Sequence, residues 1–358
     1  MSAKTQTPAR SSATQAKVRP SIGQTMLRAY RSAADFIQAR ISTLPTAAAI
    51  ILFLAMLIYG EAKYGRILQY STMSNLIINN AYLIVLAVAL TFVILTGGID
   101  LSVGAVIAFS SVAGVLLANA GWNPYLVMVI MVLSGSAFGL ISGVLIQYFN
   151  VQPFIATLAM MFLARGLASM MSTDPERLDN DSPIRAISTQ WKLVDGPKVN
   201  DLVLTPAVVI SIVVLIAAVF VLHRTRFGRT VYAIGGSEQS ATLMGLPVVR
   251  TKVMIYVISG SLSGIAALVY TSRLGIAQNI TGLGWELDAI AAVVIGGTLL
   301  TGAYGYVLGS AVGALVIGLM NVLITRDGGI PPERTTIITG GILLVFVLLQ
   351  RAIVRRRH

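Results

Sequence analysis

The chain is 358 residues long, 56% hydrophobic and 11% charged, with a mean hydropathy of +0.81. A soluble domain carries about 25% charge, so the composition excludes a water-soluble globular fold. The net charge of +12 is of the size a nucleic-acid partner would favour, but the location of the charges argues against nucleic acid.

Seven of the 26 Lys and Arg lie in residues 1–40, five between Arg224 and Lys252, and four in the tail from Arg351. All of these fall on one side if the chain crosses a bilayer ten times. That is the positive-inside distribution, and it puts both termini in the cytoplasm. The expected fold is an all-α, polytopic membrane bundle of about ten transmembrane helices. Its apolar runs are continuous and do not alternate, which excludes a β-barrel. The absence of cysteine removes disulfides and thiol chemistry.

In chain order, residues 1–43 form a cytoplasmic N-terminal tail. Its first part, 1–21, is rich in Ser, Thr, Ala, Arg and Lys and reads as disordered. Residues 22–41 space Ile22, Met26, Tyr30, Ile37 and Ile41 at helical intervals among Arg28, Arg31 and Arg40. They are either a basic amphipathic helix on the inner leaflet or a poorly ordered tail. The first apolar run starts too late for a cleaved signal peptide.

The membrane domain covers 44–350, with spans expected at 44–60, 73–96, 101–119, 124–149, 153–171, 204–222, 252–270, 288–300, 304–325 and 334–350. The eighth is too short to cross about 30 Å at about 1.5 Å per residue, so it starts earlier, near Trp285, or is half of a broken helix. Residues 351–358 are a basic cytoplasmic tail.

Parity places loop 172–203 outside and loop 223–252 inside. Charge agrees. The first carries Asp174, Glu176, Asp179, Asp181, Asp195 and Asp201 against four basic residues, and the second has basic flanks. Two glycine ladders, Gly135/Gly139/Gly143 and Gly305/Gly309/Gly313, each put bare backbone on one helix face, where another helix can approach. They serve either static packing or an interface that slides during transport. The segments VILTGGIDLSVGAVIAF and VVIGGTLLTGAYGYVLGSAV echo one another, and by this topology they are a parallel repeat.

Enzymatic chemistry is not expected. The chain has two His and no phosphate-binding Gly-x-x-x-x-Gly-Lys motif, and no nucleophile–base–orienter set is recognisable, so no cofactor or metal is expected either. Asp100 follows Gly97-Gly98 and precedes a helix. It is either a structural cap accepting the Ser102 and Val103 N–H groups, or a residue of the substrate path or gate. Arg165 lies within a span, as a functional residue or one that snorkels outward.

Glu286 and Asp288 cap the eighth helix or line the mouth of a path. Trp285 suits an interfacial anchor or a sugar-stacking surface. In loop 223–252, Ser237 and Glu238 open a short helix and Gly245-Leu246-Pro247 close it. Apolar Leu243, Met244 and Leu246 then either dock a partner or fold back on the bundle.

The motifs GGIDLSVG (97–104), FGRTVYAIGGSEQSATLMGLPV (227–248) and ELDAIAAVVIGGTLLTGAYG (286–305) resemble the permease subunits of bacterial ATP-binding-cassette importers of the ribose, xylose and galactose type. The resemblance covers roughly 45–350 and is nearest to galactofuranose permeases, through HRTRFG, VYAIGG and ATLMGL.

It implies an inner-membrane protein with no catalysis of its own, and three protein partners. These are an ATPase subunit on the cytoplasmic loop, a periplasmic sugar-binding protein outside, and a second permease subunit, identical or not. Membrane lipid surrounds the bundle. The coupling segment would comprise Gly235, Gly236, Glu238, Ala241, Gly245, Leu246 and Pro247. The chain departs from the family pattern at Gly302-Ala303, where Gly-Gly is usual, and in its long N-terminal tail. The alternative class is an ion- or proton-coupled secondary transporter, which needs an intramembrane relay that only Asp100 and Arg165 offer.

Overall fold

The computed structural model describes residues 44–194 and 201–328, together with 337, 340, 341, 344 and 348. They belong to one compact unit, Ser42–His358. The expected amphipathic helix at 22–41, the tenth span at 334–350 and both tails lie outside the described residues or are represented there only by isolated positions.

The helices are α1 (Leu44–Tyr64), α2 (Tyr70–Leu95), α3 (Val103–Asn119), α4 (Pro124–Tyr148), α5 (Pro153–Met171), α6 (Pro206–Arg224), α7 (Arg226–Gly236), α8 (Glu238–Leu243), α9 (Val248–Leu274), α10 (Trp285–Ile295) and α11 (Val307–Asp327). Helix starts follow local chemistry. Pro124, Pro153 and Pro206 each occupy a first helical turn, where the missing N–H costs nothing. Asn123 caps α4 by accepting the Tyr125 N–H at 2.9 Å.

Seven of the described helices are long and apolar enough to cross a membrane: α1, α2, α4, α5, α6, α9 and α11. The third and eighth expected spans are shorter, 17 residues in α3 and 11 in α10. The reason is local. Glycine turns at 97–98 and 296–297 end the preceding helices, and residues 96–102 and 278–284 run as irregular chain within the bundle. The all-α expectation holds for the spans. The loops add four short strands, β1 (Glu176–Arg177), β2 (Trp191–Val194), β3 (Leu202–Leu204) and β4 (Ile276–Ala277), paired antiparallel as β1–β4 and β2–β3. The β1–β4 pair ties the loop after α5 to the end of α9.

α2 is apolar all round and sits at the centre, with its C-terminal two-thirds buried. α1 instead turns Ile51, Leu54 and Ile58 outward, a surface fit for lipid tails. α4 and α9 form the tightest pair. The backbone of α9 at Gly260, Tyr256 and Val253 lies directly against Gly135, Gly139 and Gly143, and Ser136 and Ser261 share a hydrogen bond of 2.7 Å across the seam. The second ladder is shorter than its sequence reads. Gly309 and Gly313 face Gly296 and Ala292 of α10, but Gly305 precedes α11 and packs on the Thr298 side chain.

A Cβ on the α4 seam has no room, so Gly139→Val forces the helices apart at a cost above the ~1–3 kcal/mol of ordinary overpacking. Gly166→Ala on α5 meets nothing within 4 Å. Thermal unfolding of the detergent-solubilised protein is expected to show a large loss for the first variant and none for the second.

Candidate functional site

Two helices end in the same way. The Gly97 N–H donates to Ile94 O at 2.8 Å and the Gly98 N–H to Val93 O at 3.1 Å. At the end of α10, the Gly297 N–H donates to Val294 O at 2.9 Å and the Thr298 N–H to Val293 O at 3.1 Å. This pair of crossed bonds is the Schellman ending, which needs a left-handed residue; Gly97 has φ 75° and Gly297 φ 97°. The internal echo in the sequence is therefore a repeat of backbone geometry.

The two turns touch. The Ala303 N–H donates to Leu95 O at 2.9 Å, and Gly302 lies against the Gly97 N–H. The C-terminal end of α7 closes over this junction, because Gly235 rests on Leu95 O and on the Ala303 backbone with no space for a side chain. Tyr232 of α7 donates its hydroxyl to Gly305 O at 2.9 Å, and the His223 ring stacks on Tyr306 with centroids 5.9 Å apart.

α7 leads into α8. Ser237 accepts the Ser240 N–H at 3.2 Å as the α8 cap. Gly245, at φ 73°, turns the chain, and Pro247 precedes α9. Ala241 is fully buried among Ile234 and Val248, with Leu246 packed against them. Lys252 holds Glu238 through both carboxylate oxygens at 2.9 Å. This face folds back on the bundle while the other is left bare: Leu243 is 89% and Met244 67% exposed, and Gly236 has open space around it.

Asp100 is 1% exposed. Its Oδ1 accepts the Ser102 N–H at 2.9 Å and the Ser102 hydroxyl at 2.6 Å, and its Oδ2 accepts the Ser259 hydroxyl at 2.7 Å. The N-cap residue of α3 is Ser102. Asp100 thus acts one step earlier than a cap, folding the 96–102 segment and tying it to α9. The three donors take up the lone pairs of a carboxylate that burial would otherwise leave uncompensated.

Arg165 points inward rather than snorkelling. Its Nη1 donates to Asn279 O and Thr281 O, both at 2.6 Å, and fixes the loop between α9 and α10. That loop reaches α3, where Gly282 and Gly104 are in backbone contact and Glu286 Oε2 lies beside Gly104. Glu286 and Arg165 attract one another electrostatically, and Glu286 Oε2 has no hydrogen-bond partner among the described residues. Asp288 stands in the same first turn of α10, partly buried. Arg165 and Glu286 therefore belong to one cluster, and Asp100 to another, on α9.

Residue-type reasoning placed Ser102 beside Asp100 but passed over Ser259. The run Ser259-Gly260-Ser261-Leu262-Ser263-Gly264 was the available signal: small and hydroxylated residues in a span mark a helix seam that needs polar partners.

These features define a multi-span membrane protein with two broken crossings and an exposed hairpin joined to both. Residues 72–348 match the family described as the branched-chain amino acid transport system / permease component. The chain is 53% identical to the fructose import permease protein FruG of Bifidobacterium longum, over 87% of this chain and 91% of that one. It is 37% identical to the inner membrane ABC transporter permease protein YjfF of Escherichia coli, over 87% and 92%. It is 40% identical to the ribose import permease protein RbsC of Bacillus subtilis, over 74% and 80%. No solved structure matches it.

The chain belongs to this family of importer permease components. It is a multi-pass inner-membrane protein and a transport subunit, with ATP hydrolysis on a separate chain.

Replacing Asp100 by Leu orphans two buried serine hydroxyls and a backbone N–H, each costing about 1–3 kcal/mol, and is expected to abolish recovery of folded permease. Asp100→Asn keeps an acceptor for Ser102 and offers an amide to Ser259. It is expected to be recovered folded with a slightly lowered melting temperature, as size-exclusion profiles and thermal melts will report.

Proposed function

We propose that this chain carries a monosaccharide across the inner membrane, released to it by a periplasmic sugar-binding protein and driven by an ATPase subunit that docks on α8. A second permease subunit, a copy of this chain or a different one, completes the path. The observation that carries the coupling reading is the backbone contact between Gly235 and the junction of the two broken crossings. A push on α8 reaches both turns through one short rigid segment. The bare Leu243 and Met244 supply the apolar contact for the ATPase, and the Lys252–Glu238 pair keeps α8 seated on α9.

The sugar reading rests on relatives named for fructose and ribose import. It puts a ketohexose ahead of the galactofuranose that the motifs favoured, and both sugars offer a five-membered ring. Within this reading, Asp100 holds the first broken crossing in place, and Arg165, Glu286 and Asp288 line the end of the path away from the ATPase. A secondary transporter needs a chain of titratable groups. The groups bonded to Asp100 are hydroxyls and one N–H, and Arg165 is engaged by carbonyl oxygens, so no relay runs between them.

Charge on the exposed face of α8 is expected to break docking without unfolding the bundle. Leu243→Arg together with Met244→Glu should leave the permease folded, prevent co-purification of the ATPase, and reduce uptake to background. Uptake that persists with this pair or with residues 238–247 deleted refutes the coupling assignment. In proteoliposomes holding the full importer, ATP-dependent uptake is expected for fructose over galactose. Uptake that ignores ATP and follows an ion gradient refutes the importer reading.

A further inference from the structure

Three aromatic rings from three separate elements meet at the end of α9 far from the coupling hairpin. Tyr82 of α2 and Trp285 of α10 have centroids 4.3 Å apart, Tyr270 of α9 and Trp285 4.7 Å, and Tyr82 and Tyr270 5.4 Å. They border a cavity of about 300 Å³ whose remaining polar lining is Asn79 and Arg273. α9 has 27 residues, so its length of about 40 Å separates this cavity from α8. The cavity therefore lies at the end of α9 opposite α8.

The rings are not a lipid-facing anchor belt, since each is half-buried against the other two. Nor is the polar part of the cavity closed by its own contacts. Arg273 gives one Nη to Asn79 Oδ1 at 3.1 Å, while its Nε is buried and unpartnered among the described residues.

We propose that this cavity is a monosaccharide-holding subsite of the permease, where sugar rests after leaving the binding protein and before entering the bundle. The inference rests on the reading of the chain as a sugar importer. A sugar presents C–H groups on a ring face and hydroxyls round its edge. Aromatic walls match the face, and a guanidinium with a spare N–H beside an amide matches the edge. Mostly apolar walls with a few placed polar groups are the usual make-up of a small-molecule site, and the volume falls at the low end of the roughly 300–1,000 Å³ such sites occupy. Trp285 also belongs to the first turn of α10, the half-helix that ends at the coupling junction. A sugar bound here therefore touches the element that the hairpin moves.

The chain has three Trp, and Trp122 and Trp191 are exposed and do not line the cavity. In a Trp122→Phe, Trp191→Phe permease assembled with its partners, Trp285 reports alone among this chain's tryptophans if the partner chains carry Trp→Phe replacements or are labelled with a spectrally distinct analogue. Titration with D-fructose, D-ribose and D-galactose is expected to give a saturable change in Trp285 emission for the sugar that the same complex transports. Arg273→Gln or Tyr270→Ala should weaken that response by roughly tenfold and raise KM for uptake with little change in ATP hydrolysis. Transport of a sugar with no saturable Trp285 response, or with KM unmoved in both variants, overturns the subsite and leaves the importer reading intact. A complex that transports none of these or any other monosaccharide removes the importer reading and the subsite with it.

Discussion

The structure depends on a single carbonyl. Leu95 O ends α2, accepts the Ala303 N–H from the turn after α10, and bears against Gly235 at the end of α7. A membrane bundle must satisfy its backbone groups internally. Each broken crossing frees several such groups, and here the freed carbonyl of one turn is met by the freed amide of the other. The C-terminal end of α7 sits on that bond. A side chain at Gly235 would strike Leu95 O and the Ala303 backbone, so this contact leaves no slack between α7 and the two turns.

Polar economy elsewhere follows the same rule. Asp100 is held by Ser102 and Ser259, Thr91 of α2 bonds Ser310 of α11 at 2.8 Å, and Thr271 of α9 bonds Ser111 of α3 at 2.9 Å. These are short hydroxyls between helices that glycine has already allowed to approach. Close backbone packing comes first, and the hydroxyl bonds then fix the register. Arg165 is a long cation used this way. It joins α5 to the loop that enters the bundle before α10, and so stands at the opposite end of the second broken crossing from Gly235.

Much of this was legible in the chain because it is local. Hydropathy located the long spans, Ser237 and Gly245 bracketed α8, and the Gly135, Gly139 and Gly143 spacing marked one face of α4. The rest depends on partners far away in sequence. Nothing near Asp100 names Ser259, 159 positions on, and nothing near Trp285 names Tyr82. Gly305 read as a rung of a helix because periodicity does not register where a helix starts; the turn after Gly297 delays α11 to Val307. The shortness of α10 and its start near Trp285 were legible from the length of the eighth apolar run, but the irregular chain before α3 and α10 was hidden for a related reason. Irregular chain within a bundle is as apolar as a helix, and only its hydrogen bonds distinguish the two.

On the proposed coupling route, force from α8 reaches the broken crossings through Gly235. Its neighbour Gly236 has the same residue type and helix but open surroundings. The decisive measurement is the ratio of sugar transported to ATP hydrolysed in the reconstituted importer carrying Gly235→Ala or Gly236→Ala. Gly236→Ala is expected to keep the wild-type ratio, and Gly235→Ala to hydrolyse ATP while transport falls by about an order of magnitude or more, the scale of ~1.4 kcal/mol at the junction. Equal ratios in the two variants, with both proteins folded and docked, would show that force does not pass through Gly235.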